Sequence, residues 1–107
     1  MHLVVDNSTG GDELLAANVA EALRERGYAV DVREPEPASM FDTSVHLVST
    51  GIVLRVDELP PRAELGEISE VVRDALLRHP SLRRRTRAVP VAVGAGGQVL
   101  TWIDVFD

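Results

Sequence analysis

The chain lacks two residue types that carry much of protein chemistry, cysteine and lysine. Its 107 residues include no cysteine, which excludes disulfides, thiolate zinc sites and cysteine nucleophiles. All eleven basic residues are arginine. Without lysine the protein can form no Schiff base and can offer no P-loop lysine to a nucleotide phosphate. The enzyme classes that depend on these groups are therefore excluded.

Aromatic side chains and long apolar runs are also scarce. Aromatics make up 4% of the chain and the net charge is −6, whereas a nucleic-acid surface needs a basic groove with aromatic stacking partners. The apolar runs are far shorter than the ~20 residues of a membrane helix, and no signal-peptide pattern is seen. We therefore expect a cytoplasmic protein without a membrane partner, and nucleic acid is not the partner we expect.

The residues that are present indicate one folded domain. Apolar residues account for 45% and charged residues for 26%, an ordinary globular composition, and the length suits a single domain spanning 1–107. The charge is divided unevenly: residues 1–70 hold 14 acids and 5 arginines, while residues 71–107 hold 3 acids and 6 arginines. The C-terminal third is therefore locally basic.

Three patterns in the first third predict a strand, a helix and a second strand. The short apolar run His2–Asp6 predicts a strand. Asp12–Arg26 has apolar residues at helical spacing, acids in its first turn and arginines in its last, and Gly27 is suited to end that helix. Ala29–Arg33 alternates apolar and charged residues, which predicts a strand buried on one side.

The middle of the chain combines a loop, a strand region and a second helix. Residues 34–44 are rich in proline and polar residues, which predicts a loop. Val45–Asp57 predicts a strand, and 49–51 within it indicates either a bulge or a tight hairpin turn. The second helix lies between Pro61 and Pro80. Its apolar stripe comprises Leu65, Ile68, Val72, Ala75, Leu76 and His79.

The last twenty residues, AVPVAVGAGGQVLTWIDVFD, contain two β-rich runs joined by the glycine-rich turn 94–97, which predicts a hairpin. The order of elements is then β-α-β-β-α-β-β. Two helices can cover only one face of a sheet, and the alternating strands agree with burial on one side. We predict an α+β fold, a two-layer sandwich of ferredoxin-like character with a C-terminal hairpin. The alternative is a truncated flavodoxin-like α/β fold.

The stretch VDNSTGGDE (5–13) connects the first strand to the first helix, where a phosphate can meet the positive end of a helix. It resembles the flavodoxin phosphate loop, strand, T-x-T-G-x-T, helix, with a threonine and a glycine at the third and fourth places. The resemblance implies a phosphate- or nucleotide-binding site formed by Asn7, Ser8, Thr9, Gly10 and Gly11. We do not otherwise expect a cofactor.

A second interpretation of the same stretch is a capped helix start. Thr9-x-x-Asp12 has the pattern of a capping box, and the carboxylate of Asp12 would oppose a phosphate. We favour the cap. Residues 2–33 also resemble the start of a response-regulator receiver domain, in which Asp6 would be the magnesium-binding acid. No acceptor aspartate follows Val48 and no lysine exists, so we do not expect a phosphoaccepting receiver.

The sequence offers no catalytic or metal-binding constellation. His2, His46 and His79 lie far apart in the chain, without the spacing that places two imidazoles on one metal. The nucleophile-elbow pattern G-x-S-x-G is absent. We therefore predict no catalytic residues and no metal site.

Five residues of the basic third are candidates for contact with a protein partner. They are Arg83, Arg84, Arg85, Arg87 and Trp102. The arginine run indicates either an anion or partner contact or a solvated linker. In the last strand Trp102 shares one face with a leucine, and two apolar residues take the other face. One face is expected to pack in the core, and the other is either a contact surface or covered by another part of the chain.

The form R-x-V-x-V-x-V-G is present at Arg87, Val89, Val91, Val93 and Gly94. In this hairpin the chain resembles the effector-associated constant components of actinobacterial conflict and signalling systems. The resemblance implies a bacterial, non-enzymatic adaptor or regulatory module that acts with an effector such as a peptidase, nuclease or nucleotide-handling protein. We therefore expect a protein partner or self-association. The alternative function is phosphate or nucleotide binding through the 6–13 loop.

Overall fold

The computed structural model describes residues 2–8, 12–34, 51–94 and 97–105. The elements within these ranges are β1 (His2–Asp6), α1 (Glu13–Glu25), β2 (Ala29–Arg33), β3 (Val53–Val56), α2 (Arg62–Leu77), α3 (Pro80–Arg85), β4 (Ala88–Val93) and β5 (Val99–Asp104). The predicted strand segment 45–50, most of the predicted loop 34–44 and the residues Thr9, Gly10 and Gly11 lie outside the described residues. None of the described helices is both long enough and apolar enough to cross a membrane.

The five described strands form one mixed sheet in the order β2-β1-β3-β4-β5. β1 is parallel to β2, and β3 is parallel to β4. The two parallel pairs meet at the antiparallel contact between β1 and β3, and β5 adds antiparallel to β4. The chain thus contains two βαβ units side by side, in the arrangement that a twofold axis normal to the sheet would produce. Such an axis places both crossover helices on the same face.

The predicted two-layer α+β sandwich is confirmed. The predicted order of elements is also present, with the short helix α3 added between α2 and β4. The ferredoxin-like comparison holds for the element order alone, because each crossover here joins neighbouring strands whereas the ferredoxin-like arrangement splits them. The flavodoxin-like alternative is wrong, since that fold requires a parallel sheet at the β1–β3 contact.

The core lies between the helices and one face of the sheet. Alternate residues of the strands point into it, as the period of two requires, and each helix contributes its apolar stripe. Fully buried members include Leu3, Val5, Leu15, Val19, Leu23, Leu54, Ile68, Val72, Leu76, Leu82 and Ile103. The predicted stripe of α2 is confirmed for Ile68, Val72, Ala75 and Leu76, while Leu65 and His79 are only partly buried.

Helix α1 ends as the sequence predicts. Arg26 is the C-cap residue, and Gly27 follows with φ of 94°. The Gly27 N–H donates to the Arg24 carbonyl and the Tyr28 N–H donates to the Leu23 carbonyl. These two hydrogen bonds form a Schellman motif, which satisfies the last carbonyls of the helix.

Replacement of Gly27 with alanine is expected to lower the free energy of unfolding by about 1–2 kcal/mol, because an L-residue is strained at positive φ. The matched control is Gly66→Ala in the exposed interior of α2, where an added methyl group meets nothing within 4 Å. There alanine is expected to add about 0.5–1 kcal/mol, because it favours the helix over glycine. Urea unfolding of both variants measures the two effects, and changes of the same sign would contradict this assignment of the helix end.

Candidate functional site

The face of the sheet opposite the helices carries a network of charged side chains at its β1 side. Asp6 is almost completely buried, and its Oδ2 accepts a 2.6 Å hydrogen bond from Nε of Arg55 on β3. The same guanidinium donates from its second nitrogen to the Gly94 carbonyl at 2.9 Å. Arg33 on β2 approaches Asp6 less closely, at 3.9 Å. The ion pair therefore joins strands of both βαβ units.

The electrostatics of Asp6 follow from these contacts. Burial would raise the pKa of Asp6, but hydrogen bonds from Arg55 and Ser8 to the carboxylate outweigh burial and hold the pKa below its ordinary value. One of the hydrogen bonds from Ser8 is donated by its backbone N–H to Oδ1 of Asp6, at 2.9 Å. Asp6 is thus a fully engaged carboxylate that fixes the exit from β1.

The loop that follows β1 is closed by side-chain hydrogen bonds. Asn7 is buried, and its Oδ1 accepts from the backbone N–H of Asp12 at 3.1 Å. Asp12 in turn is the N-cap of α1, with Oδ1 accepting from the N–H of Leu15 at 3.1 Å. The N-cap of α1 is therefore Asp12, whereas the capping-box pattern predicts Thr9, which lies outside the described residues. Ser8 is exposed in the turn beside Asn7.

These contacts bear on the phosphate interpretation of the loop. The carboxylate of Asp12 accepts a hydrogen bond from the backbone N–H of Leu15 at the start of α1. A phosphate would bind to the N–H groups at this same end of the helix. An open depression of about 690 Å³ lies alongside, and the described charged residues that line it are three glutamates and one arginine (Glu13, Glu21, Glu34 and Arg24). The Arg24 guanidinium donates through Nε and a terminal nitrogen to the Val30 carbonyl. The local charge thus opposes an anionic ligand.

Replacement of Asp12 with alanine is expected to lower the free energy of unfolding by about 1 kcal/mol, because the Leu15 N–H loses its acceptor. Asp12→Asn is the matched control and should cost less, since asparagine is also a good N-cap. Thermal unfolding is measured with and without phosphate, flavin mononucleotide and magnesium. A variant that melts like the wild type and gains phosphate-induced stabilisation would support the phosphate site.

Each edge of the described sheet has a backbone carbonyl that accepts from a helix arginine. At the β2 edge Arg24 covers the outward carbonyl of Val30, with contacts of 2.8 and 3.1 Å. At the β5 edge Arg73 of α2 donates from Nε to the Asp104 carbonyl at 2.9 Å. An arginine from each long helix thus caps one edge carbonyl. The sequence does not single out these two arginines, because each resembles a solvated helix residue.

Strand β5 exposes large apolar side chains beside its edge. Trp102 is 57% exposed and lies on the face of the sheet opposite the helices, while Ile103 and Val105 are buried in the core. One face of this strand therefore packs in the core, as predicted, and of the two alternatives for the other face the structure shows Trp102 exposed. Val99 and Leu100 are 46% and 42% exposed, next to a register shift opposite 91–92. Three large apolar side chains thus face solvent in one six-residue strand.

Three of the arginines that we predict to contact a partner lie near the C-terminal end of β5. Arg83 and Arg84 lie on α3, and Arg87 precedes β4; together with Val105, the residue after β5, they line a depression of about 360 Å³. None of the described residues that line it is acidic. The side chain of Arg85 lies outside the described part of the chain. The structure thus places four of the five predicted contact residues around one strand, with Trp102 on the uncovered face and the arginines at its C-terminal end.

The two described histidines make ordinary structural contacts, and His46 lies outside the described residues. His2 on β1 contacts Asp31 on β2 at 2.7 Å, and both side chains are largely exposed. His79 precedes α3 and its carbonyl accepts from Leu82 and Arg83. Within the described ranges no group of three or more acidic or histidine side chains is arranged to hold a metal ion.

Comparison of the chain with protein-family models, with curated proteins and with solved structures finds no match.

Proposed function

We propose that the protein is a small non-catalytic interaction module that acts with an effector protein, and that strand β5 is its contact element. The observation that carries the proposal is the exposure of Trp102 on an edge strand, together with Val99 and Leu100. Natural edge strands usually blunt such surfaces with lysine, proline or a covering segment. A tryptophan that faces solvent beside an unpaired strand edge is typical of a surface that a partner covers.

The surrounding residues support an interface and give it a polar rim. The face that carries Trp102 continues to Pro90, its register partner on β4, and the arginines of the depression lie next to Val105, just after the end of β5. An apolar centre with charged groups at its margin is the usual anatomy of a protein interface. The resemblance of the β4–β5 hairpin to effector-associated constant components supports an effector as the partner.

Site-specific photo-crosslinking tests the proposal. Benzoylphenylalanine replaces Trp102 in one variant and Glu70, an exposed residue of α2, in a matched control. Both are irradiated in lysate of the organism that encodes the chain, and the crosslinked protein is identified and purified. We expect a discrete adduct from position 102 and none from position 70.

Binding of the purified partner then decides the result. Trp102→Ala is expected to weaken binding by about 2 kcal/mol or more, the cost typical of a central aromatic residue, while Glu70→Ala leaves it unchanged. Titration calorimetry measures both. Equal adducts at the two positions, or a partner whose affinity is insensitive to Trp102, would contradict the assignment. An adduct with a second copy of the chain would identify self-association through the same strand.

A further inference from the structure

The face of the sheet opposite the helices holds a depression beside the Asp6 network. Its volume is about 290 Å³, near the lower end of the size range of small-molecule sites. Its described lining includes Val4 of β1, Arg33 of β2, Arg55 of β3 and Gly94 after β4. The depression thus spans the sheet from β2 to the end of β4, away from β5.

Two guanidinium groups in this lining share one carboxylate. Nε of Arg55 donates to Oδ2 of Asp6 at 2.6 Å, and Nη1 of Arg33 lies 3.9 Å from the same oxygen. Together the three side chains carry one positive charge in excess. Because both nitrogens lie close to one oxygen, the two oxygens of a single ligand carboxylate can reach both guanidinium groups.

Both guanidinium groups retain donors for such a ligand. Arg55 uses Nε for Asp6 and Nη1 for the Gly94 carbonyl, which leaves Nη2. Arg33 is too far from Asp6 for a hydrogen bond. Within the described ranges no carboxylate other than that of Asp6 lies within 4.0 Å of either group. The Arg55 side chain is only 18% exposed, so its attraction for an anion is screened less than at an exposed site.

The remainder of the lining limits what else the ligand carries. Val4 is the register partner of Arg55 on β1 and offers an apolar side chain. Asp57, directly after β3, also lines the depression. Its Oδ1 accepts from the Glu58 N–H at 3.0 Å, and its charge repels a second anionic group on the ligand. The lining therefore favours one carboxylate joined to an uncharged body.

We propose that this depression binds a small monocarboxylate, whose carboxylate contacts Arg33 and Arg55 and whose uncharged body lies against Val4. Guanidinium groups recognise a planar carboxylate through paired hydrogen bonds. The inference goes beyond the proposed function and does not depend on it, because the depression is not lined by any residue of β5 within the described part of the chain.

Titration of the isotope-labelled full-length chain, followed by nuclear magnetic resonance, tests the site. The probes are benzoate and isovalerate, an aromatic and an aliphatic monocarboxylate. We expect saturable shifts of the backbone amide signals of Val4, Arg55 and Gly94, and none for Val71 within α2. Benzamide and isovaleramide have the same shapes without the charge, and they should bind at least about tenfold more weakly.

Two substitutions locate the carboxylate. Arg33→Gln is expected to reduce affinity about tenfold or more, since it removes a charged donor. The Arg33 side chain is 50% exposed, so the variant should remain folded, which thermal unfolding checks. Arg62→Gln replaces an exposed arginine at the start of α2 and is the matched control that should leave affinity unchanged.

The role of Asp57 has its own test. Glutarate and inorganic phosphate, which carry more negative charge, should bind the wild type more weakly than the monocarboxylates do. Asp57→Asn keeps an oxygen for the Glu58 N–H and removes the repulsion, so glutarate should then bind more tightly.

The outcomes decide the inference separately from the proposed function. Unsaturable shifts with both monocarboxylates, equal binding of acids and amides, or unchanged affinity in Arg33→Gln would each overturn the site. Tighter binding of phosphate or glutarate by the wild type would overturn the assignment of a monocarboxylate. The crosslinking experiment at position 102 keeps its meaning in every case, because it reports on β5 alone.

Discussion

Replacement of Arg55 with alanine is expected to lower the free energy of unfolding by about 3–5 kcal/mol at pH 7, because it leaves a buried carboxylate without its partner. The side chain of Asp6 is only 3% exposed and that of Arg55 is 18% exposed. The Nε–Oδ2 contact is 2.6 Å long. Chemical denaturation at pH 7 measures the loss.

The matched control is Arg33→Ala. The Arg33 side chain is 50% exposed and lies 3.9 Å from the same carboxylate, so its loss should cost under about 1 kcal/mol. Comparable losses for the two arginines would show that Arg55 does not hold the carboxylate, and would contradict the described network.

The pH dependence of these variants has a definite sign. The folded-state pKa of Asp6 is lowered, so its carboxylate stabilises the wild type above the unfolded-state pKa of about 3.9. That contribution is lost as the pH falls towards and through the folded-state pKa. In Arg55→Ala the pKa of Asp6 is expected to rise, because burial then acts without the guanidinium. The difference between wild type and variant should therefore narrow between pH 7 and about pH 3.

Replacement of Ile68 with alanine is expected to cost about 2–5 kcal/mol, the range for removing a large aliphatic side chain from a packed core. Ile68 is completely buried on the face of α2 that meets the core. The loss combines transfer of the removed carbons to water with the cavity that remains. Urea unfolding measures this loss of stability, with the wild type and the variant fitted to the same dependence of free energy on urea concentration.

The control for Ile68 is Glu70→Ala, two positions along the same helix. Glu70 is exposed, so its replacement should change the free energy of unfolding by less than about 0.5 kcal/mol. Equal losses at the two positions would mean that the helix presents a different face to the core.

The local elements could be predicted because their signals lie within a few residues of one another. The apolar spacing in α2 predicts which of its residues are buried, and Ile68 and Leu76 confirm it. Gly27 marks the end of α1 because only glycine takes positive φ at little cost. The hairpin of β4 and β5 follows from a glycine turn between two β-rich runs. The alternation of β5 predicts that Trp102 and Ile103 lie on opposite faces of the strand, and the exposure of Trp102 is shown by the structure alone.

The start of α1 shows where local patterns become ambiguous. Thr9 and Asp12 are both good capping residues, and the capping-box pattern favours the first of them. The structure uses Asp12, whose backbone N–H is held by Asn7 from the end of β1. Which residue caps α1 therefore depends on the path of the chain between β1 and α1, and capping preferences of single residues carry no information about that path.

The contacts that give the protein its candidate surfaces join residues that are distant in the chain. The Asp6–Arg55 pair spans 49 positions and the contact of Arg73 with Asp104 spans 31. Both depend on the strand order β2-β1-β3-β4-β5, and hydrophobic periodicity assigns a residue to a face without specifying the neighbouring strand. The sequence alone thus establishes the elements, their buried faces and the basic character of the C-terminal third. Only the packed sheet makes β5 an edge strand and places the arginines at the C-terminal end of that strand, because pairing between distant strands is decided by the whole core.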